Sequence, residues 1–227
     1  PSSGKALTEW NMDADDAPIL RFVFRNFCPQ RHLEFGTWKG KGALHCLQEC
    51  NATVWTINLP EGERKADGSL AYWEAADPIR PARWRRGVWE RLFGRRSGAP
   101  AVQTDAGELI GVRYREAGFG CRVCQIYCDS RQWDTSNYQT DFFDSVLVDG
   151  GHTRDVVLND TRKGLELLRP GGMILWHDFC LDKEVRERFE SARSVTQTIL
   201  DNWDWISADL KDAFWIKPSW ILLGIRK

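Results

Sequence analysis

The amino-acid sequence predicts an α/β fold, in which helices pack on both faces of a mostly parallel β-sheet. Short apolar runs alternate with segments of helical periodicity over most of the chain, a rhythm typical of layered α/β proteins. The chain has 227 residues, of which 42% are hydrophobic, and it carries a formal net charge of −1. This length and composition predict a single domain, 1–227, with a substantial core.

The predicted elements follow one another in a regular order. The N-terminal segment, 1–30, contains DDAPILRFVFRNF, which predicts a helix capped by aspartates with Pro18 in its first turn. Strands are predicted, in order, at HLEFG, TVWTINL, VCQIYCD, DSVLVDGG, MILWHDF and SWILLGIRK. Helices are predicted after the first of these runs to about Cys50, from about Arg154 to Leu168, and from about Lys183 to Leu200.

The composition also predicts a cellular compartment. No apolar run approaches the roughly 20 residues that span a bilayer, and PSSGKALTEW lacks the features of a signal peptide. Seven cysteines, an odd number, fall inside apolar elements and indicate reduced thiols, so we predict a cytoplasmic protein. Cys124 and Cys128 alternate with apolar neighbours as on a buried strand, and with Cys121 they lack the spacing of two zinc-binding CxxC pairs.

A glycine-rich turn follows the first predicted strand. In HLEFGTWKGKG, Gly36, Gly40 and Gly42 come directly after the acidic residue Glu34. Their spacing differs from the G-x-G-x-x-G of dinucleotide-binding proteins, and the phosphate-binding G-x-x-x-x-G-K-S/T pattern is not present either. We therefore expect a turn that lets the backbone approach a ligand closely, or one in which the glycines serve the turn alone.

Two later strand ends each present an acid and a histidine. Asp149 and His152 follow DSVLV, and His177 and Asp178 follow MILW. Because ligands bind beyond the carboxyl ends of parallel strands, these four side chains are candidates for one catalytic group. Asp155 and Asp160 are expected instead on the solvated face of the helix that follows, and RPGG predicts a helix stop before the next strand.

Five motifs in register resemble the class I S-adenosylmethionine (SAM)-dependent methyltransferases, especially a bacterial branch. They are LEFGTWKGKG, VWTINLPEG, IYCDSRQWD, FFDSVLVDGGH and LLRPGGMILWHDF, and the resemblance covers about residues 31–62 and 108–180. It implies a Rossmann-like sheet of seven mostly parallel strands with an antiparallel last strand. It also implies transfer of a methyl group from SAM to a small-molecule acceptor, with oxygen as the favoured acceptor atom.

The resemblance assigns roles to particular residues. Glu34, Gly36, Thr37 and Gly40 match the motif that holds the amino-acid end of SAM in the family. Asn58 stands where the family usually has an acid that binds the ribose hydroxyls, which is a departure. Asp129 and Ser130 match the pair beside the adenine, and Asp149 belongs both to the cofactor set and to the catalytic set.

The chemistry at the acid and histidine pairs has two interpretations. In the first, His152 is the general base that takes a proton from the acceptor hydroxyl, and Asp149 supports it. In the second, Asp149, His177 and Asp178 hold a divalent metal that lowers the pKa of the hydroxyl group. Because the ligands would be mixed nitrogen and oxygen donors, manganese, iron or zinc would suit them better than magnesium.

An arginine- and tryptophan-rich insertion at about 64–107 lies outside the matched motifs. Between Arg80 and Arg96 it has seven arginines and one acid, interleaved with Trp84, Trp89 and Phe93. We interpret it as a lid that binds an anionic acceptor or as a contact between subunits of a homo-oligomer, with a merely solvated helix as the alternative. The net charge of the chain argues against a nucleic-acid footprint, and Arg85 interrupts the apolar stripe that a membrane-surface helix would need.

Two other functions remain as alternatives. The insertion would also suit an RNA-directed methyltransferase or an RNA-binding protein, whose affinity would fall steeply with salt concentration. The substitution at Asn58 would suit a catalytically silent member of the fold that binds a partner.

Overall fold

The computed structural model describes residues 5–60 and 109–227. The predicted insertion at 64–107 therefore lies outside the described residues. Within the two described ranges, none of the helices has the length and apolar character that a bilayer-spanning helix needs.

A seven-stranded sheet forms the centre of the described structure. Its strands are β1 (Arg31–Phe35), β2 (Thr53–Asn58), β3 (Val123–Tyr127), β4 (Phe143–Val148), β5 (Leu168–Trp176), β6 (Leu210–Ile216) and β7 (Ile221–Arg226). Their order is β3-β2-β1-β4-β5-β7-β6, with parallel pairing from β3 to β5 and antiparallel pairing of β7 with both neighbours. The predicted mostly parallel sheet with an antiparallel last strand is confirmed.

Helices cover both faces of this sheet. They are α1 (Ala17–Phe27), α2 (Lys41–Glu49), α3 (Val112–Glu116), α4 (Arg154–Leu167), α5 (Lys183–Arg188), α6 (Glu190–Asp201) and α7 (Trp203–Ala208). Residues of α4, α6 and α7 pack into the core on one face, while residues of α1, α2 and α3 pack into the core on the other. Each face of the sheet thus has its own apolar layer.

Three local predictions differ from the structure. The helix predicted from Lys183 to Leu200 is broken at Phe189, whose backbone is extended and whose ring contacts Trp220 at 4.9 Å between centroids. Strand β6 was not predicted as a strand. Cys124 is exposed rather than buried, and it lies on β3, the strand at the edge of the sheet.

The sheet order places a crevice between β1 and β4. From β1 the chain builds outward to β2 and β3, and then returns to add β4 and β5 on the other side. The carboxyl ends of β1 and β4 therefore flank the point where the topology reverses, which is where open α/β sheets bind their ligands.

Candidate functional site

The turn after β1 and the loop after β4 are held in direct contact. The amide of Asp149 donates a hydrogen bond of 2.9 Å to the carbonyl of Phe35, and the amide of Gly36 donates one of 2.9 Å to the carbonyl of Ile57. These bonds continue the parallel ladder past the ends of the strands. They fix the backbone at the head of the crevice.

Gly36 permits this close approach. Its φ is +96°, and a β-carbon added there would lie 2.0 Å from the carbonyl oxygen of Asp149. Only glycine fits both the conformation and the space. Gly40, with φ +79°, is closed in by the ring of Tyr114 in the same way, at 2.6 Å from an added β-carbon. The predicted glycine requirement therefore has a local steric cause at both positions.

Glu34 is buried at the carboxyl end of β1, with 1% of its surface exposed. Burial raises the pKa of its carboxyl group well above the ordinary value, and the nearby charge of Asp149 adds to the effect. Its Oε2 has no hydrogen-bond partner among the described residues. Since an unpartnered buried carboxylate oxygen is costly, this atom is suited to receive a cationic donor.

Thr37 and Asn58 brace the glycine turn from within. The hydroxyl groups of Thr37 and Thr56 lie 2.7 Å apart. The side-chain oxygen of Asn58 accepts a 3.0 Å hydrogen bond from the amide of Trp38, and its NH₂ group donates to the carbonyl of Leu59 at 2.8 Å. Asn58 thus ties the end of β2 to the turn after β1.

Asp129 and Ser130 follow β3, as the motif requires. Hydrogen bonds from Arg131 hold the pKa of Asp129 below its ordinary value, and the closest Arg131 contact is 2.6 Å. The carbonyl of Ser130 accepts a hydrogen bond of 2.6 Å from Lys163 on α4.

Asp160 is a correction to the sequence interpretation. It was expected on the solvated face of α4, but only 1% of it is exposed. Burial raises its pKa to about 6, and hydrogen bonds from Ser130 and Asn159 oppose that rise. It lies on the buried stripe of α4 together with Val157, Thr161 and Gly164, and this spacing was a signal in the sequence.

His152 and Asp178 form a hydrogen-bonded pair at the ends of β4 and β5. The Nε2 atom of His152 lies 3.0 Å from Oδ2 of Asp178, and the other carboxylate oxygen accepts a 2.8 Å hydrogen bond from Ser191. Burial alone would raise the pKa of Asp178, but the hydrogen bonds and charges of His152 and His177 outweigh it and hold that pKa below its ordinary value. The imidazole of His152 is 46% exposed, so an acceptor can reach it.

His177 is buried between carboxylates. Its Nδ1 lies 3.2 Å from Oδ1 of Asp149 and 3.5 Å from Oδ2 of Asp178, and its Nε2 lies 3.1 Å from Oδ2 of Asp16. Burial opposes a charge on this ring, but the three carboxylates outweigh it and raise the pKa of His177 well above the ordinary value. In a protonated ring Nε2–H would donate to Asp16, while Nδ1 lies close to the carboxylates of Asp149 and Asp178 but makes no hydrogen bond among the described residues.

Asp16 is a residue of this site that sequence reasoning missed. It is fully buried, and its place before α1 predicts only a helix cap, although its side chain makes no capping bond. It accepts from the indole of Trp10 at 2.7 Å and faces His177 instead. No local spacing signals this contact, because the two partners lie 161 positions apart.

The structure brings the two predicted acid and histidine pairs together. Asp149, His152, His177 and Asp178 line one small cavity. One ligand atom from each of Asp149, His152 and Asp178 lies within 4.8 Å of the others, so these three have the donor types and spacing of a divalent metal site. Asp129 and Ser130 lie beyond the end of β3, two strands away from β1.

Comparison with known proteins identifies the family. A family model described as a methyltransferase domain matches residues 33–179, which is more than half of the chain. A comparison with curated proteins finds no match.

Solved methyltransferase structures have the same fold. An O-methyltransferase from Bacillus cereus in complex with S-adenosylhomocysteine (SAH) superposes with a TM-score of 0.57 and 13% sequence identity, and the match covers 100% of this chain and 84% of that one. The O-methyltransferase TomG from Streptomyces achromogenes, in complex with SAM, superposes with a TM-score of 0.57 and 16% sequence identity, and the match covers 96% of this chain and 82% of that one. The SAH-bound methyltransferase PaMTH1 from Podospora anserina superposes with a TM-score of 0.55 and 16% sequence identity, and the match covers 93% of this chain and 77% of that one.

Proposed function

We propose that this chain, which belongs to the methyltransferase domain family and is a SAM-dependent methyltransferase, transfers the methyl group to an oxygen atom of a small-molecule acceptor. One observation carries the proposal. The accessible imidazole of His152 is oriented by the buried carboxylate of Asp178, at the carboxyl end of the sheet and beside the glycine turn. A histidine held by a carboxylate is a suitable general base for a hydroxyl acceptor.

The glycine turn is proposed to hold the amino-acid end of SAM. Glu34 would bind the ammonium group through its unpartnered Oε2, and the backbone from Gly36 to Gly40 would pass close to the carboxylate. Asn58 would accept from the ribose in addition to holding Trp38, and the loop of Asp129 and Ser130 would lie beside the adenine. This arrangement directs the sulfonium toward the cavity after β4.

The transfer itself is an in-line displacement. The bond from the acceptor oxygen to the methyl carbon forms as the bond from that carbon to sulfur breaks, and the hydroxyl proton passes to Nδ1 of His152. Donation from Nε2–H to Asp178 keeps Nδ1 available as the acceptor and stabilises the imidazolium that results. Asp149 and His177 would line the acceptor side and fix its position.

A divalent metal fits the same residues. Asp149, His152 and Asp178 would hold it, with His152 in the place that the sequence interpretation gives to His177, and the metal would lower the pKa of the acceptor hydroxyl group. The two mechanisms differ in their response to a chelator. We expect activity to survive EDTA under the general-base mechanism. Loss of activity with EDTA and its recovery with manganese would instead establish the metal mechanism.

The experiment is methyl transfer from isotope-labelled SAM to a panel of small phenols, carboxylates and sugars. Anionic compounds are tested first, because the arginine-rich insertion predicts an anionic acceptor. For any acceptor found, His152→Ala should lower kcat by about 10²-fold or more, the range for a lost general base, and should leave SAH affinity within about twofold. Asp155→Asn is the matched control, since this exposed acid on the first turn of α4 lies outside the pair. Equal turnover in wild type and His152→Ala would refute the assigned base.

A further inference from the structure

A chain of side-chain hydrogen bonds runs beneath the glycine turn and ends on Glu34. The hydroxyl of Tyr114 on α3 donates to Oε1 of Gln125 on β3 at 2.9 Å, and Nε2 of Gln125 donates to the hydroxyl of Thr37 at 2.9 Å. The Thr37 hydroxyl lies 2.7 Å from that of Thr56 on β2. Thr56 is the register partner of Glu34 on β1, so the two residues lie side by side in the sheet, and Thr56 acts as a hydrogen-bond donor that lowers the pKa of the Glu34 carboxyl group. Five side chains from four elements and the turn are therefore linked in series.

The chemistry of the groups fixes the direction of this chain. An amide NH₂ only donates and an amide carbonyl only accepts, so Gln125 must receive from Tyr114 and give to Thr37. Thr37 then has its own proton to give to Thr56, and Thr56 gives its proton to the carboxylate. Burial raises the pKa of Tyr114 to about 12, so its phenol remains a donor. Every hydrogen in the chain has an acceptor when Glu34 is ionised.

We propose that Gln125 and Tyr114 are positioning residues for SAM binding, because they orient the carboxylate of Glu34 toward the ammonium group of the cofactor. The proposal rests on the proposed placement of the amino-acid end of SAM. The relay occupies one side of Glu34, together with a backbone hydrogen bond from Ala43, and Oε2 is left buried without a partner among the described residues. A buried carboxylate fixed on one side and unsatisfied on the other is a site for a single cationic donor.

Tyr114 links this relay to the turn itself. Its ring fills the space beside Gly40, where an added β-carbon would lie 2.6 Å away. The start of α3 is also bonded to the turn, since Gly111 donates to the carbonyl of Trp38 at 2.7 Å and Arg113 donates to that of Lys39 at 2.9 Å. Positions of the turn and of Glu34 are therefore set by the same aromatic residue.

Two ligands test the proposal. SAH carries the amino-acid end, and 5′-methylthioadenosine contains the adenosine part without it. We expect Gln125→Leu to weaken SAH binding about fivefold, the scale of one hydrogen bond between neutral groups such as that from Gln125 to Thr37, and Tyr114→Phe to weaken it less. Both variants should bind 5′-methylthioadenosine as the wild type does. Gln197→Leu is the control, because among the described residues the Gln197 side chain on α6 hydrogen bonds only to Asp201; this variant should bind both ligands normally.

Glu34→Gln separates failure of this proposal from failure of the proposed function. If Glu34→Gln binds SAH as tightly as the wild type, the amino-acid end lies elsewhere and the proposed cofactor placement fails. If Glu34→Gln weakens SAH binding but Gln125→Leu and Tyr114→Phe do not, the relay proposal is overturned. Equal weakening of both ligands in Gln125→Leu also overturns it, because that result indicates general damage to the site. Tyr114→Phe removes a single hydroxyl group and keeps the test available if Gln125→Leu does not fold.

Discussion

Replacing Gly36 by alanine should both destabilise the protein and weaken SAM binding. The new β-carbon would lie 2.0 Å from the carbonyl oxygen of Asp149, whereas real contacts of this kind stay beyond 3.0 Å. The turn and the loop after β4 must therefore separate by about 1 Å or more, which breaks the 2.9 Å bond from Asp149 to Phe35. Loss of that bond costs about 1–3 kcal/mol, and alanine at a φ of +96° costs about 1 kcal/mol more.

The free energy of unfolding of Gly36→Ala should thus fall by about 2–4 kcal/mol. Urea denaturation followed by tryptophan fluorescence measures this change, and calorimetric titration with SAH measures the loss of affinity. Gly118→Ala is the matched control, because Gly118 has φ +83° but no atom of the described part of the chain lies within 4 Å of an added β-carbon. It should lose only about 1 kcal/mol and should bind SAH normally. Equal stability losses in the two variants, or normal SAH affinity in Gly36→Ala, would refute the close-approach argument.

Two further predictions concern a ribose contact and the pH dependence of stability. Asn58→Asp should keep the bond from Trp38 but lose the one to the carbonyl of Leu59, which lowers the free energy of unfolding, and it should tighten SAH binding by about 1 kcal/mol in calorimetry through a charge-assisted bond to the ribose; unchanged affinity would place the ribose elsewhere. His32 is buried, and burial lowers its pKa to about 3 from 6.5, so the unfolded chain binds the proton first and stability falls as the pH drops below 6.5. Between pH 7 and pH 5 the wild type should lose about 2 kcal/mol of unfolding free energy more than His32→Asn does, measured by urea denaturation, and parallel pH profiles would contradict this.

The fold and most of the crevice could be predicted because their signals are local. HLEF and DSVLV are largely apolar runs followed at once by a glycine or an acid, so they predict both a strand and the functional end of that strand. The acids and histidines after β4 and β5 could be expected to meet, because adjacent parallel strands bring their carboxyl ends together.

The parts that escaped prediction depend on contacts between distant segments. Asp16 looks like a helix cap until the fold places His177 beside it, and Gln125 looks like an ordinary strand residue until Thr37 and Tyr114 are brought to it. Exposure of Cys124 depends on which strand forms the sheet edge, which periodicity along one strand does not specify. Asp160 differs from these, since its position on the apolar stripe of α4 was visible in the sequence.

A crystal structure of the protein with bound SAH tests the central claim most directly. We predict that the ammonium group lies within hydrogen-bond distance of Oε2 of Glu34, and that the sulfur atom points toward the cavity lined by Asp149, His152 and Asp178. Density for SAH away from the glycine turn, or with its adenosine part against Glu34, would contradict the account.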